Sequence, residues 1–338
     1  MMSRSHPSNV RRAFTIVELL VVVVIIVIVL SILLPAIAGA RQAAKRASTL
    51  ALMNHLGTAT NAFALDKNGR MPGYFSAAEM GSAENESRNL SAMKNMLLDL
   101  SGGLTTAAAN GANILAVGPT AGNTVNVDLT QIGASTGGGN GAKSYFTPDQ
   151  KFYVPQNVDG QMMTPVASLP PGHANLPDIV DSWGNPILAW VEEDRATNTF
   201  AAETSANANV IPKFYQASNA CYLGARALGK SGRNQNGSAD PHSLIGMGLP
   251  PAQLFGGPGG NGTFEAFLGN PAYPTRINPI RPEKARGPVV FLSAGPDGYY
   301  LSSDDRGGKI ATTAGGALPY STSDAMADFD DLVVKAGN

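Results

Sequence analysis

The pattern of hydrophobic and polar positions divides the chain into a short polar head, one long apolar run and a long mixed remainder. The apolar run covers residues 14–34 and reads FTIVELLVVVVIIVIVLSILL, with polar side chains only at Thr15, Glu18 and Ser31. As a helix with a rise of about 1.5 Å per residue, the run would be about as long as the roughly 30 Å hydrocarbon core of a bilayer. The pattern therefore predicts one membrane-spanning helix near the N-terminal end.

The charges around this run indicate its orientation. The head, residues 1–13, contains no acidic residue and three arginines, at Arg4, Arg11 and Arg12. Basic flanks stay on the cytoplasmic side of a membrane, although the basic residues within 41–46 weaken the contrast. We therefore expect a single-pass inner-membrane protein with a cytoplasmic N-terminus and a periplasmic or other extracytoplasmic domain at residues 67–338.

The junction between head and run, RRAFTIVE at residues 11–18, resembles the leader of type IV pilins and type II secretion pseudopilins. In that family a prepilin peptidase cuts just before the Phe and methylates the new amine. The resemblance implies cleavage between Ala13 and Phe14, which leaves the hydrophobic helix on the mature protein. The family usually has Gly before the cut, and this chain has Ala13, another small residue.

Glu18 is the one acidic residue of the apolar run. A carboxylate costs about 2.5–3.5 kcal/mol at the centre of a membrane helix, and such groups usually pair with another polar group. In a bundle of processed subunits, Glu18 could neutralise the Phe14 ammonium of a neighbour and so set the register of assembly. The alternative is that Glu18 lies near the helix end and reaches headgroup water.

Pro35 follows the run at the position where pilins often carry a helix-bending proline. The resemblance implies a role for Pro35 in helix packing, and a simple kink at the membrane exit is the alternative.

The helical pattern resumes over residues 36–66. A small-residue face of Ala36, Ala43, Ala47 and Leu50 predicts docking onto a globular domain. Asp66–Gly69 and the following Pro-Gly pair then predict the helix end.

The remaining chain predicts short elements separated by glycine-rich segments. A second helix is expected over residues 83–100. Residues 101–145 and 224–262 are rich in small and polar residues and predict long loops or inserts. Four short strands are expected, at Lys151–Val154, Ile187–Val191, Val210–Tyr215 and Val289–Ser293.

Two further segments resemble major type II pseudopilins. DSWGNP at residues 181–186 is similar to their D-P-W-G-N-P turn, and VVFLSAGPDG at residues 289–298 is similar to their C-terminal strand and calcium loop. The resemblance implies a Ca²⁺ site, and oxygen ligands and a glycine turn suit that ion. The candidate ligands are Asp297, Asp304, Asp305 and Asp331. A solvated acidic turn is the alternative.

Composition and scattered polar residues exclude several other functions. The net charge of −1 gives no field that would recruit nucleic acid. A single cysteine, Cys221, excludes an internal disulfide and a Cys-based metal site. The four histidines lack a metalloprotease spacing, and the chain contains no G-x-S-x-G elbow. We therefore expect no enzyme activity.

These observations predict an α+β fold, with a long N-terminal helix packed on a small antiparallel sheet with long loops. The resemblance implies a structural subunit of a type II secretion pseudopilus or related type IV filament. Its partners would be the prepilin peptidase, other pilin or pseudopilin subunits and an inner-membrane assembly platform. The alternatives are a non-assembling, membrane-tethered binding protein that shares the leader and a tethered hydrolase.

Overall fold

The computed structural model describes residues 16–80, 82–88, 90–110, 113–133, 143–154, 176–192, 219, 274–276, 280–282, 286–300 and 329–337. These residues combine one long N-terminal helix with short helices and antiparallel sheets, which confirms the predicted α+β fold. The chain separates into two compact units, residues 1–45 and 46–338. The boundary falls inside the long helix.

Helix α1 runs from Ile16 to Asp66 and contains Pro35 in its interior. In the first unit, every described side chain of the helix is exposed. The helix ends as the sequence predicts, because Asn68 and Gly69 adopt positive φ angles of 56° and 86°. The Gly69 N–H then donates to the Ala64 carbonyl at 2.7 Å, which satisfies one of the last free carbonyls of the helix.

In the second unit, helix α1 buries one face in the core. The buried residues recur every three or four positions, as expected for one side of a helix: Thr49, Leu52, Met53, Leu56, Gly57, Ala59, Thr60 and Phe63. The predicted docking face was wrong, because Ala36, Ala43 and Ala47 are exposed and only Leu50 is half-buried. Large side chains remove far more apolar area from water than alanines do, so the Leu and Met positions determine which face packs.

Three short helices follow: α2 at Ala77–Met80, α3 at Ala83–Arg88 and α4 at Ala92–Leu100. The single helix predicted over residues 83–100 is therefore two helices. The second begins anew because the Ser91 side chain caps it by accepting a hydrogen bond from the Lys94 N–H. Asn85 bridges the break, since its carboxamide donates to the Met80 and Leu90 carbonyls and accepts from the Leu90 N–H.

The first sheet has the antiparallel order β1-β3-β2. Its strands are β1 at Leu104–Thr105, β2 at Ile114–Thr120 and β3 at Asn123–Asp128. The prediction of a long loop or insert over residues 101–145 is therefore wrong for the strands that lie between residues 104 and 128. The small and polar composition concealed an inward-facing set, Leu115, Val117 and Val127, which is buried. The second predicted glycine-rich insert, residues 224–262, lies outside the described residues.

A second antiparallel sheet has the order β10-β9-β6. Strand β6 is Leu188–Val191, β9 is Val289–Ser293 and β10 is Leu332–Ala336. The predicted strands at 187–191 and 289–293 are confirmed. Every residue of β9 is buried, as expected for a central strand that is covered on both faces. Helix α1 approaches this sheet at Gly57, where an added Cβ would lie 3.8 Å from the Ala336 Cβ.

The other strands within the described ranges form two pairs. Strand β4, Tyr153–Val154, pairs with β5, Asp178–Ile179, and β7, Pro274–Arg276, pairs with β8, Ile280–Pro282. The strand predicted from residue 151 is shorter than expected, because a 3-10 turn occupies Gln150–Phe152. The strand predicted at 210–215 lies outside the described residues.

In the part of the chain that the structure describes, two apolar clusters form the core. The larger one joins α1 and α4 to the sheet of β6, β9 and β10, through residues such as Leu56, Met96 and Phe291. The smaller one lies under the first sheet and includes Phe75 and Val117. A buried ion pair lies close to the core, since Lys94 Nζ and Asp178 Oδ1 are 3.3 Å apart with side chains only 1% and 5% exposed. This pair links α4 to β5.

Candidate functional site

The N-terminal segment carries the residues for which assembly roles were predicted. Ala13 and Phe14 lie outside the described residues. Glu18 lies in the first turn of α1 with an exposed side chain, where the positive end of the helix dipole favours a carboxylate. Pro35 lies within the helix, which continues past it. Proline removes one backbone hydrogen bond at that point.

The apolar part of this segment is the largest exposed hydrophobic surface in the part of the chain that the structure describes. Side chains from Ile16 to Ile37 are between about half and fully exposed, with Ile16 at 84% and Leu34 at 64%. Helix α1 is the one described helix that is long and apolar enough to cross a membrane. Surface of this size and composition requires lipid or other apolar helices around it.

A second candidate region forms where the turn at residues 181–186 meets the end of strand β9. The turn at residues 181–186 folds around the Asp181 carboxylate, which is buried. Its Oδ1 accepts hydrogen bonds from the backbone N–H groups of Trp183 at 2.8 Å and Asn185 at 2.9 Å. Its Oδ2 accepts one from the Ser293 hydroxyl at 2.7 Å. One side chain therefore closes the turn and ties it to the end of strand β9.

Further hydrogen bonds extend this junction. The Asn185 carboxamide donates to the Gly295 carbonyl at 3.0 Å, and the Tyr300 hydroxyl donates to the Pro186 carbonyl at 2.6 Å. The Ser182 N–H donates to the Thr49 hydroxyl of helix α1 at 3.1 Å. The region is thus built into the core rather than presented as an open surface.

Burial raises the pKa of the Asp181 carboxyl above its ordinary value. The hydrogen bonds from Ser293, Asn185 and Trp183 act in the opposite direction, because they stabilise the ionised form. These three donors and the buried position together indicate a structural carboxylate. The sequence pointed to the segment, but it gave no signal that Asp181 would reach across to Ser293.

The predicted calcium ligands are only partly within the described residues. Asp297 is half-buried, and its Oδ1 accepts a hydrogen bond from the Tyr299 N–H at 2.8 Å. Asp331 is buried, while Asp304 and Asp305 lie outside the described residues. Among the residues that are described, no three His, Cys, Asp or Glu side chains form a group that could hold a metal ion. The described side chains alone therefore do not build the site, and calcium binding stays a prediction.

The loop at residues 293–298 nevertheless meets the late acidic cluster. Gly295 has a φ of 68°, and an added Cβ would lie 2.8 Å from the Asp330 carbonyl and 3.0 Å from its Oδ1. A side chain at this position would collide with Asp330 and strain the backbone. The S-x-G pattern thus allows the two segments to approach closely, and Asp330, which the sequence reasoning missed as a site residue, forms the contact.

A cavity of about 380 Å³ lies in the second unit, between the segment after α1, helix α4 and the end of β6. Its walls are mostly apolar, with Tyr74, Phe75 and Trp190, and they include the charged residues Arg70 and Glu192. Arg70 is held by an ion pair of 2.8 Å with Asp99. Cavities of this size and composition commonly accept small ligands.

His55, the one histidine in the described part of the chain, packs on Phe146 with ring centroids 5.1 Å apart.

Comparison with known proteins identifies the N-terminal segment alone. Residues 8–34 match the family described as the prokaryotic N-terminal methylation motif. No curated protein and no solved structure gives a significant match. The matched residues include the predicted cleavage site and Glu18, so the N-terminus is of the type IV pilin-like kind that prepilin peptidases process. The likeness of the later segments to pseudopilins remains an expectation from sequence.

Proposed function

We propose that the chain is a structural subunit of a type II secretion pseudopilus or a related type IV pilus-like filament. The observation that carries the proposal is the methylation motif at residues 8–34, which overlaps the N-terminal part of helix α1 from Ile16 onward. The same helix supplies an exposed apolar segment and a stripe that is buried in a folded domain. A subunit that packs its apolar helices against those of neighbours while displaying a globular domain requires both features.

Processing would precede assembly. A prepilin peptidase would cut between Ala13 and Phe14 and methylate the new amine, with the N-terminus facing the cytoplasm and residues 67–338 outside it. Glu18 would then lie four residues from the new terminus, one helical turn away. In a bundle of helices, the Glu18 carboxylate of one subunit and the Phe14 ammonium of another would neutralise each other. An inner-membrane platform would drive the assembly, and the subunit itself would catalyse no reaction.

The test replaces Glu18 with Ala in the full-length protein. This change removes the intersubunit attraction and lowers the cost of membrane insertion, so the variant should reach the membrane as well as the wild type. Mass spectrometry should show that both proteins begin at methylated Phe14. Crosslinking and shear release should show that the variant enters filaments at less than about a tenth of the wild-type level, since the loss of a pair in a low-dielectric setting exceeds about 1.4 kcal/mol.

The control is Ser31→Ala, because Ser31 is also a polar residue of the span but donates its hydroxyl to the Ile28 carbonyl within the helix at 2.7 Å. It should assemble normally. Equal assembly of the Glu18 variant and the wild type would contradict the proposal. A mature N-terminus at Met1 would contradict the processing step.

The cavity favours a second candidate, a membrane-tethered binding protein that shares the leader but forms no filament. Its size of about 380 Å³ and its aromatic lining suit a small ligand. Such a protein would be monomeric, would bind a ligand in its folded domain and would be indifferent to the loss of Glu18. The same assembly experiment therefore separates the two functions.

A further inference from the structure

We propose that Arg41 and Lys45 bind the phosphates of anionic phospholipid headgroups, in the leaflet at the C-terminal end of the span. The proposal rests on the membrane insertion inferred above and does not depend on filament formation. It concerns two exposed cations of helix α1 that lie between the apolar run and the buried stripe of the helix.

The two side chains share one face of helix α1. They are four residues apart, which places them one above the other on the helix surface. Both are exposed, and in the part of the chain that the structure describes no carboxylate lies within 4 Å of either. Two adjacent cations repel each other, so a bound anion would stabilise this segment.

Their height above the hydrocarbon suits the headgroup layer. The last large apolar side chain before them is Ile37, and four residues of helix place Arg41 about 6 Å beyond it. The headgroup layer is about 5–7 Å thick on each side of the bilayer. Lys45 lies about 6 Å further along the helix, which is still within a Debye length of about 8 Å from that layer.

The direction of the side chains strengthens this placement. In an α-helix the Cα–Cβ bonds tilt toward the N-terminus, which here is the membrane end of the helix. Long basic side chains so oriented reach back to the interface while their aliphatic stems lie along the helix. An arginine can hold a phosphate through two N–H groups at once, and a lysine acts as a neighbouring point charge.

The charge pattern favours lipid over another copy of the chain. From Leu19 to Leu65 the sequence has no Asp or Glu, while Arg41, Lys45 and Arg46 are basic. Parallel copies at the same depth in a membrane would therefore present cations to each other. The phosphates of the surrounding lipid are the anions that occur at this height around every copy. The headgroup contact would fix the depth of the span and resist its extraction.

The test measures lipid selectivity of the full-length protein reconstituted into phosphatidylcholine bilayers. Spin-labelled phosphatidylglycerol and phosphatidylcholine report how much lipid is motionally restricted by the span. Each basic residue changes the affinity of a protein segment for an anionic lipid surface about fivefold. The spin labels report an average over all lipids around the span, most of which do not touch Arg41 or Lys45. The phosphatidylglycerol preference is therefore expected to fall only about twofold in R41Q/K45Q. The wild-type preference should also fall in high salt.

The matched control is K67Q, which removes an exposed lysine just past the other end of the same helix and should keep the wild-type preference. Equal preference in R41Q/K45Q and the wild type would overturn the headgroup proposal, as would an equal fall in K67Q. An unchanged preference with loss of self-association in the double variant would assign the charges to a neighbouring copy and also overturn it. Absence of any restricted lipid around the wild type would contradict the membrane span itself, and this proposal with it.

Discussion

Replacing Asp181 with Ala tests whether the junction between the turn at residues 181–186 and the end of strand β9 holds the folded domain together. The variant removes the acceptor of three short hydrogen bonds, from the Trp183 and Asn185 N–H groups and the Ser293 hydroxyl. A buried donor left without a partner costs about 1–3 kcal/mol. The serine hydroxyl can rotate to another acceptor, but the two backbone groups cannot.

The opposing contribution comes from the carboxylate itself. Its burial raises its pKa, so the ionised form is held in the fold at some cost, and the alanine variant is relieved of that cost. The two N–H groups that lose their acceptor destabilise the fold, and removing the buried carboxylate offsets part of that effect. The expected net loss in the free energy of unfolding is about 2–4 kcal/mol. Among single substitutions this is a large effect.

The assay is urea unfolding of the full-length protein in detergent, followed by tryptophan fluorescence. The chain has two tryptophans: Trp183 is in the turn, and Trp190 is in the adjacent strand β6. The fluorescence therefore reports on the perturbed region directly. The control is Asp149→Ala, because the Asp149 carboxylate also accepts from the backbone N–H two residues ahead, at 3.1 Å, but is 58% exposed.

Water can replace the lost acceptor at the exposed site, so the control should lose about 1 kcal/mol or less. A similar small loss in both variants would refute the reasoning, since it would show that burial of the turn does not make its carboxylate essential. A large loss in both would show that aspartate turns of this kind matter wherever they occur.

Two further predictions concern the ion pair and the calcium site. Lys94→Met should lower the free energy of unfolding by about 3–5 kcal/mol, because the Asp178 carboxylate loses its buried cation. The double variant Lys94→Met with Asp178→Leu should recover most of this loss. Denaturant unfolding that shows no recovery in the double variant would contradict this account. If the C-terminal loops bind Ca²⁺, the metal-stripped protein should gain about 2.7 kcal/mol at a hundredfold excess over Kd. Thermal melting with calcium and with chelator should show this gain in the wild type and lose it in Asp297→Ala, whereas coinciding wild-type curves would leave only the solvated acidic turn.

The sequence predicted the elements with strong patterns and failed where packing decides. Three elements carry a local signal in the sequence. The apolar run has uninterrupted apolar residues, the helix end after Asp66 has a glycine turn, and strand β9 has a cluster that includes β-branched residues. The sheet of residues 104–128 was missed because its apolar side chains, such as Leu115, Val117 and Val127, stand in short runs among many small and polar residues. The conformation of those small and polar positions is set by strand pairing.

The docking face of helix α1 shows the same limit. Alternation of polar and small residues over 36–50 is a fair amphipathic pattern, but it does not reveal how much area a partner surface can bury. The buried stripe begins at Thr49 and depends on the position of the β6–β9–β10 sheet. Contacts of this kind join residues far apart in the chain, and a local pattern contains no information about them.

The junction around Asp181 also limits what the expected likeness of residues 181–186 and 289–298 to pseudopilins can say about function. The turn and the S-x-G loop meet because one buried carboxylate needs donors from both, and because Gly295 lets Asp330 approach. These are requirements of folding, and a filament subunit and a monomeric tethered protein would meet them equally. The likeness to pseudopilins that the sequence leads us to expect in this region would therefore not separate the two functions. That separation depends on the N-terminal half of helix α1, because the proposed pairing of Glu18 with the Phe14 ammonium of another subunit requires that copies of the chain assemble.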